Sequence, residues 1–515
     1  MIDLITLLIV LPLACAAIVA LLPAAWRSGQ LLTALIGCLV IFLLSLGLLL
    51  QYSPSIAGIQ MEQRVAWIQT DQIHVSYHVG IDGISLFLVL LTTFTMPLAI
   101  LASWNSIRDK LRAYLVSLLL LETAMIGVFV SYDLILFYLF WELMLIPMSL
   151  LIGVWGGQRR IYAAIKFFLY TMAGSVLMLV AILALYFYSG ARDFDLLRIQ
   201  QGIASQQIVI GPQGQLLMFF AFFIAFAIKV PLFPFHTWLP DAHVEAPTAA
   251  SVILAGILLK MGTFGLLRYC LPLFPEIAVV AAPYISILAL IGIIYGALVA
   301  MVQPDIKRLV AYSSVSHLGY VVLGIFAFNL QGLHGATYQM LNHGLSTGAL
   351  FLLVGMIYDR RHTREIADFG GLAHVMPVFS VVFLLATLSS IGLPGLNGFV
   401  GEFLVLQGAY LTSRWFAGLA AVGMVLSAVY MLWMYQRVFL GEVTHEENRS
   451  LVDLTLREKA ILVPIVLLFV WMGMSSGTFL RRMDSSLQSV VERIDQAKAK
   501  MRPQTYRVEN GSPRR

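Results

Sequence analysis

The sequence predicts an all-α polytopic membrane protein of about 14 transmembrane helices, in which helices 4–8 and 9–13 form an inverted repeat and helices 7 and 12 are broken. Three observations lead there. Hydrophobic residues make up 60% of the 515 and charged residues only 11%, against about 25% charged in a soluble chain. The apolar residues fall in runs close to the roughly 20 needed to cross a bilayer. Prolines and ionisable residues lie together inside two of those runs, Phe226 to Trp238 and Ser389 to Phe403.

In order, the candidate spans are residues 2–23, 30–50, 81–103, 112–130, 133–152, 161–189, 215–239, 247–270, 276–301, 305–327, 333–358, 374–409, 415–437 and 457–478. The first has an acid, Asp3, and no Lys or Arg ahead of its apolar run, so it reads as helix 1 rather than a signal peptide. Asp133 alone separates helices 4 and 5, and the turn at Pro304-Asp305 is short. Residues 51–80, with Trp67, His74, Tyr77 and His78, suit a short β-hairpin, and residues 190–214 read as irregular and polar. In the tail, Leu487, Val490, Val491 and Ile494 fall at helical spacing. They predict a short amphipathic helix lying on a partner, with disorder from about Pro503. The chain divides into residues 1–110 (helices 1–3), 111–270 and 271–440 (the two five-helix units) and 441–515 (helix 14 and a basic tail).

Loops after odd-numbered helices hold most of the Lys and Arg, with Arg108, Lys110, Lys307, Arg360 and Arg364 among them. Loops after even-numbered helices carry Arg64, Arg192, Arg198, Arg268 and Arg414. The positive-inside rule therefore puts the odd loops in the cytoplasm and both termini on the far side, with the basic tail the one dissenting segment. The repeat rests on three alignments. LYTMAGSVLMLV in helix 6 matches NHGLSTGALFLL in helix 11; Asp133 and Asp305 open helices 5 and 10; Pro231 and Pro394 sit in helices 7 and 12. Five helices per unit is an odd number, so the second unit enters the membrane from the opposite side, as in many transporters.

Ionisable residues inside spans are few: Glu122, Glu142, Lys166, Lys229, Lys260 and Glu402, with His236, His317 and His343. Each charge at mid-membrane costs roughly 2.5–3.5 kcal/mol, so these groups require polar partners. Lys166 lies within two turns of Arg160, close enough to snorkel to the surface, and Glu122 has no evident partner; both read as structural. Glu142, Lys229, Lys260 and Glu402 read as functional. Pro231 and Pro234 supply no N–H and so free the carbonyls of Ala227 and Val230, and Pro394 with its glycines interrupts helix 12 just before Glu402. A broken helix beside a buried charge marks a hydrated site inside the membrane. Lys229 is then a group that accepts and releases a proton, with Glu142 as counter-ion. His236, seven residues on, lies two turns along the same face and suits a relay. Lys260, His317, His343 and Glu402 continue the path. Each histidine is equally well read as a hydrogen-bonding link between helices.

Net charge +5 is accounted for by the loops, and no basic patch interleaved with aromatics suggests nucleic acid. The three cysteines, Cys15, Cys38 and Cys270, are far apart. No CxxC, GxGxxG or P-loop motif occurs, so no cofactor or metal is expected in this chain.

FWELMLIPMSLLIG, KVPLFPFHTWLPDAHVEAPTAASVILAGILLKMG, KRLVAYSSVSHLGY and GLPGLNGFVGEF resemble the antiporter-like membrane subunits of respiratory complex I, the proton-translocating NADH-quinone oxidoreductase. The resemblance runs over helices 3 to 13, and its 34-residue stretch around helices 7 and 8 is specific to the superfamily. It implies a bacterial inner-membrane subunit that moves protons, with NADH, FMN, iron–sulfur clusters and quinone held by other subunits. It also implies roles: the Glu142–Lys229 pair couples to proton release, His236 bridges Lys229 to Lys260, and His317 and His343 lead to Glu402 on the exit side. Glutamate at the helix 12 position, where chains L and N of the family carry lysine, separates this chain from those expected neighbours. Two other members of the superfamily remain as readings, a subunit of an Mrp-type Na+/H+ antiporter and one of a membrane-bound hydrogenase. A membrane anchor whose charges merely join helices is the third alternative.

Overall fold

The computed structural model describes residues 3–71, 73–190 and 193–501, and it is almost wholly helical. Helices 1 to 4 are Leu4–Leu21, Arg27–Gln51, Ser85–Ala102 and Leu111–Val130. Helix 5 is Leu134–Leu143 continued by Leu145–Trp155, and helix 6 is Arg160–Ser189. Helix 7 comes in two pieces, 7a (Pro212–Lys229) and 7b (Trp238–Glu245). Helices 8 to 11 are Thr248–Leu273, Pro275–Met301, Ile306–Ile325 and Leu330–Arg361. Helix 12 is also split, into 12a (Pro377–Ser390) and 12b (Asn397–Thr412), and helices 13 and 14 are Arg414–Phe439 and Leu456–Met474.

By length and composition eleven of the described helices can cross a membrane, or twelve when helix 14 is joined to the helix bent 69° away after it. The shortfall from fourteen falls on two helices. Helix 12 is divided, and helix 10 carries Lys307, Arg308, Ser313, Ser314, Ser316 and His317 in 20 residues. The most apolar stretches of helices 8 and 11 are 100% buried, those of helices 1, 2 and 13 only 33%. Helices 8 and 11 are therefore the centre, and the others carry exposed Leu, Val and Ile on their outer sides. Without a hydrophobic force between helices in lipid, close packing does the work. Gly332 of helix 11 lies against Gly408 of 12b, and Gly319 of helix 10 against Ala289 of helix 9.

The breaks have local causes. Pro147 lacks an N–H and its ring crowds the carbonyl four residues back, which interrupts helix 5 at Met144, just after Glu142. In helix 7 the Ala227 carbonyl expected to be free is taken: the Leu232 N–H reaches it at 2.8 Å, and the Trp238 indole takes the Ile228 carbonyl at 2.9 Å. The chain opens into a wider turn after Lys229. In helix 12 the break turns on Gly392, whose φ of +74° places it in the left-handed region.

Asp133 and Asp305 cap helices 5 and 10 in the same way, each accepting from the backbone N–H groups two and three residues on. Each also starts a two-bond bridge to a later loop, Leu134 and Leu196 with Phe194 and Tyr132 in one case, Ile306 and Ile366 with Arg364 and Pro304 in the other.

On the face that carries the loops after even-numbered helices, here the far face, the expected hairpin forms from β1 (Gln60–Gln69) and β2 (His74–Ile81), antiparallel with two irregularities in register. Residues 190–214 are not wholly irregular: Asp195 accepts from the Arg198 N–H and starts a helix at Leu196–Ala204. The tail helix is longer than expected, Gly477–Met501, and its apolar stripe packs on this chain. Phe479, Met483, Leu487, Val490, Ile494 and Ala497 form its buried stripe. The Gly83 N–H donates to Ser486, where a Cβ on Gly83 would meet the Arg482 carbonyl at 2.3 Å, and Arg493 donates to Gln200 at 2.7 Å. The disorder expected from Pro503, and Arg192, lie outside the described residues.

Charge pairs fasten the far face. His78 lies between Asp195 (2.7 Å) and Glu62 (2.9 Å), and Arg64 reaches both Asp193 (3.3 Å) and Asp195 (3.2 Å). Burial alone would raise the Asp195 carboxyl pKa, but the hydrogen bonds from His78 and the Arg198 N–H and the charges of His78 and Arg64 outweigh it and hold the pKa below the usual 3.8. A carboxylate depressed in the fold stabilises it at pH above the free value and loses that stabilisation on acidification. Hairpin amides, followed by hydrogen exchange corrected for intrinsic rate, should thus lose protection as pH falls below 3.8. Asp195→Asn should lower protection at neutral pH and flatten that acid dependence.

Candidate functional site

Lys260 is fully buried at the middle of helix 8, and the helix is distorted on both sides of it. Wide π-turns at Leu254–Leu258 and Leu266–Cys270 flank one short α-helical stretch, a distortion common at functional sites. The first brings the Ala255 carbonyl to the Lys260 ammonium, which also reaches His343 Nδ1 at 2.6 Å. An ammonium only donates. When Lys260 is charged, His343 therefore accepts at Nδ1 and carries its proton on Nε2, a buried nitrogen with no hydrogen-bond partner.

From His343 the polar groups continue across helices 10, 11 and 12. The rings of His343 and His317 are 6.0 Å apart at 61°. His317 Nδ1 lies 2.9 Å from Glu402 Oε1, and its Nε2 is 3.3 Å from the Ser390 hydroxyl at the end of 12a. Gln339 donates to the same Glu402 oxygen at 3.1 Å and accepts from Asn342 at 3.1 Å. The second Glu402 oxygen has no partner and faces the helix 12 break, 3.1 Å from where a Cβ on Gly392 would stand. Lys260, His343, His317 and Glu402 thus lie in one line of buried polar groups, hydrogen-bonded from Lys260 to His343 and from His317 to Glu402, with a ring contact between the two histidines.

The other sequence-predicted residues stand apart. Lys229 is the last residue of 7a, where the negative end of the helix dipole favours a cation. Its ammonium lies 4.8 Å from the Trp141 ring and 6.0 Å from Phe167, with Met144 Sδ at 3.7 Å. The Ser175 hydroxyl fixes Trp141 by accepting its indole N–H at 2.9 Å. No ion pair joins Lys229 to Glu142 among the described residues; Glu142 Oε1 is buried and unbonded. Glu142 acts on the lysine through its field alone. His236 does not share a helix face with Lys229, because it falls within the break between 7a and 7b. Its ring packs on Phe233 (5.7 Å) and Tyr295 (5.1 Å), and it bonds to neither Lys229 nor Lys260. Lys166, with 20% of its side chain exposed, pairs with Asp241 of 7b at 2.7 Å. Glu122 accepts a hydrogen bond from the Cys38 thiol at 3.2 Å, off this line.

Three residues were passed over in the sequence. His243, on 7b, is fully buried with both ring nitrogens unbonded, stacked 4.5 Å from Phe351, and Lys260 and Lys307 are the charges that act on it. Its only signal was its place inside the helix 7–8 stretch. Lys307, counted as a surface topology residue, is buried, and its ammonium caps the end of 7b through the Ala246 carbonyl at 2.5 Å and the Val244 carbonyl at 3.4 Å. Arg268, counted likewise, is buried in the second π-turn and paired with Asp82. Loop arithmetic mistook both because they lie within a turn or two of a helix end. A cavity of about 530 Å³ on the face opposite the hairpin, the near face, is lined by Glu245, Asp305, Lys307, Asp359 and Arg364 and adjoins the end of 7b. Among the described residues no group of three or more His, Cys, Asp or Glu is placed to hold a metal.

Comparison with known proteins gives the same picture at the level of the whole chain. Residues 131–427 match the family model described as "NADH:quinone oxidoreductase/Mrp antiporter, TM". The chain is 49% identical over 482 residues to the NADH-quinone oxidoreductase subunit M of Rhodobacter capsulatus, covering 92% of this chain and 93% of that one. It is 45% identical over 462 residues to the NADH-ubiquinone oxidoreductase chain 4 of Arabidopsis thaliana, covering 90% and 91%. Among solved structures it superposes on a chain of respiratory complex I from Thermus thermophilus with a TM-score of 0.86 and 33% identity, covering 95% of this chain and 99% of that one. On a match to more than half its length and on relatives this similar over nine-tenths of it, the chain belongs to the NADH:quinone oxidoreductase/Mrp antiporter transmembrane family and, within it, to the subunit M group of NADH-quinone oxidoreductases.

Proposed function

We propose that this chain is a proton-translocating membrane subunit of an NADH-quinone oxidoreductase, driven by redox chemistry in other subunits. The observation that carries the reading is the line of contacts Lys260–His343–His317–Glu402 through the most buried part of the fold. Protons enter from the near-face cavity past Lys307 and His243, are held at Lys260, and pass by way of the two histidines to Glu402. Lys229 is the switch: its ammonium has only aromatic and thioether neighbours, so its charge depends on the field of Glu142. His236 acts through the shape of the helix 7 break rather than as a direct bridge. NADH, FMN, iron–sulfur clusters and quinone then belong to other subunits, and subunits of the L and N types flank this one. The near face is cytoplasmic, both termini are periplasmic, and the membrane is the bacterial inner membrane. The twin caps at Asp133 and Asp305 and the twin breaks at 7a/7b and 12a/12b favour two inverted five-helix units, residues 111–270 and 271–440, between an N-terminal block of three helices and a C-terminal segment from residue 441. A sodium/proton antiporter subunit shares the family, but the subunit M relatives, and Glu402 where other branches carry lysine, favour the redox complex.

Purification of the assembly in mild detergent separates these readings: flavin and iron–sulfur absorbance with peripheral subunits belong to the first, a colourless membrane-only assembly to the second. In membrane vesicles, Lys260→Ala and His317→Ala should each slow NADH-driven proton uptake by about tenfold or more, the scale of losing a positioned proton-transfer group. Glu142→Gln and Lys229→Ala should do the same and slow quinone reduction with it, since coupling runs both ways. Unchanged dye quenching in all four would remove the proton path from this chain. His243→Ala should slow proton uptake more than His236→Ala does, in the same dye assay.

A further inference from the structure

Two turns beyond Lys260 on the same helix, a second buried cation faces the other side of the protein. Arg268 donates to Asp82 at 2.5 Å and to the Tyr132 hydroxyl at 2.7 Å, and its Nε is buried with no partner. The guanidinium lies 4.8 Å over the Tyr132 ring and 5.2 Å over that of Phe264, the residue one turn closer to Lys260. Phe264 in turn meets Phe129 edge-on at 5.3 Å. On its outer side Arg268 lines a cavity of about 170 Å³ beneath the tail helix, shared with Asp82, Gln200, Ser486 and Arg493. That space has room for several waters and is walled by groups that hold them. It begins only about 12 Å along helix 8 from Lys260, at 1.5 Å per residue. A proton that reached it would be lost to the far face without passing Glu402.

We propose that Arg268 is a fixed-charge barrier that closes the far end of helix 8 to protons, so that a proton held at Lys260 can leave only through His343, His317 and Glu402. The inference rests on Lys260 being a proton carrier and goes beyond it. Arginine suits the task where lysine does not. It keeps its proton under all conditions the membrane meets, so the barrier never becomes a carrier. A cationic side chain at a narrow point repels hydronium and protonated groups, the means by which some pores exclude protons. Asp82 pairs with the guanidinium through the same Oδ1 that accepts from the backbone N–H groups of Ile84 and Ser85 at the start of helix 3, so the barrier is the dipole of an ion pair whose cationic end is stacked over Phe264, one turn closer to Lys260. The aromatic pair Phe264–Phe129 keeps water from bridging the gap, and the charge repels a proton that crosses it. Lys307 at the near end of the same region is also cationic, but it opens on a cavity three times as large, so the two ends of helix 8 differ in kind.

The test uses the whole complex in sealed membrane vesicles with Arg268→Gln/Asp82→Asn, which removes both charges and keeps hydrogen-bonding groups of similar shape. Flavin content per vesicle reports assembly, and Arg268→Lys keeps the charge. The neutral pair should oxidise NADH at the parental rate yet build a smaller pH gradient. Its passive proton leak under an imposed potassium diffusion potential should rise by about tenfold or more, while Arg268→Lys, cationic but able to release its proton, leaks less than the neutral pair. Adding Lys260→Ala to the neutral pair should stop the leak. An assembled neutral pair that is as proton-tight as the parent overturns the barrier, as does a leak that persists without Lys260. Lys260→Ala alone tells the two levels apart. Normal pumping by that variant removes the underlying proton path, whereas lost pumping beside a tight neutral pair removes only the barrier. Should the neutral pair not assemble, Arg268→Gln alone takes its place with the same readouts.

Discussion

The bond between the Lys260 ammonium and the His343 ring, backed by the Ala255 carbonyl, is the constraint around which the centre of this protein is built. A cation in a fully buried span has no water to fall back on, and leaving it unpaired costs several kcal/mol. The sequence meets that demand by deforming a helix. The wide turn at Leu254–Leu258 brings a backbone acceptor to Nζ that a regular helix would keep for its own ladder, and helix 11 supplies a neutral imidazole. The neighbourhood follows from this. Helix 11 must be polar along His343, Asn342 and Gln339, and helix 10 along His317 and its serines. Both are tolerable because these polar side chains are buried inside the protein.

The two halves of the fold meet the same problem with different chemistry. Glu402 bonds to His317 and Gln339, which in turn bond to Ser390 and Asn342, and the break in helix 12 opens beside them. Around Lys229 the walls are Trp141, Phe167 and Met144. The first environment surrounds a carboxylate with hydrogen-bonding groups. The second holds a charge in place by polarisable rings and leaves its stability to a carboxylate that does not touch it.

Much of this was legible before any fold was known, and the limits are instructive. Composition and run length gave the class, since lipid admits few alternatives to helices. Charges at mid-span flagged Lys260 and Glu402, because nothing but a partner justifies them there. The breaks at Pro231 and Pro394 were read correctly as breaks, but their consequence was not. Whether a carbonyl stays free depends on how the next turn widens, and Leu232 takes up Ala227 through a geometry no proline rule specifies. His236 was placed by counting helical turns through a segment that is not helical. Lys307 and Arg268 were misassigned for a related reason: hydropathy locates a helix end to within a turn or two, and a turn is the difference between a solvated side chain and a buried one. The π-turns, and with them the reason Lys260 can be satisfied at all, leave no trace in a pattern of apolar residues.

The interruption of helix 5 at Pro147 has a mechanical meaning. Glu142 rides on a ten-residue stub, Leu134–Leu143, whose root is pinned by Asp133 to the Ser76 N–H of the hairpin and bridged to the loop at Phe194. The stretch Leu145–Trp155 beyond the break packs on helices 6 and 4. The stub is a lever with its fulcrum among the far-side loops and a carboxyl at its tip. A neighbour that tilts the hairpin swings that carboxyl relative to the ammonium of Lys229, and so delivers a displacement at the surface as a voltage in the core.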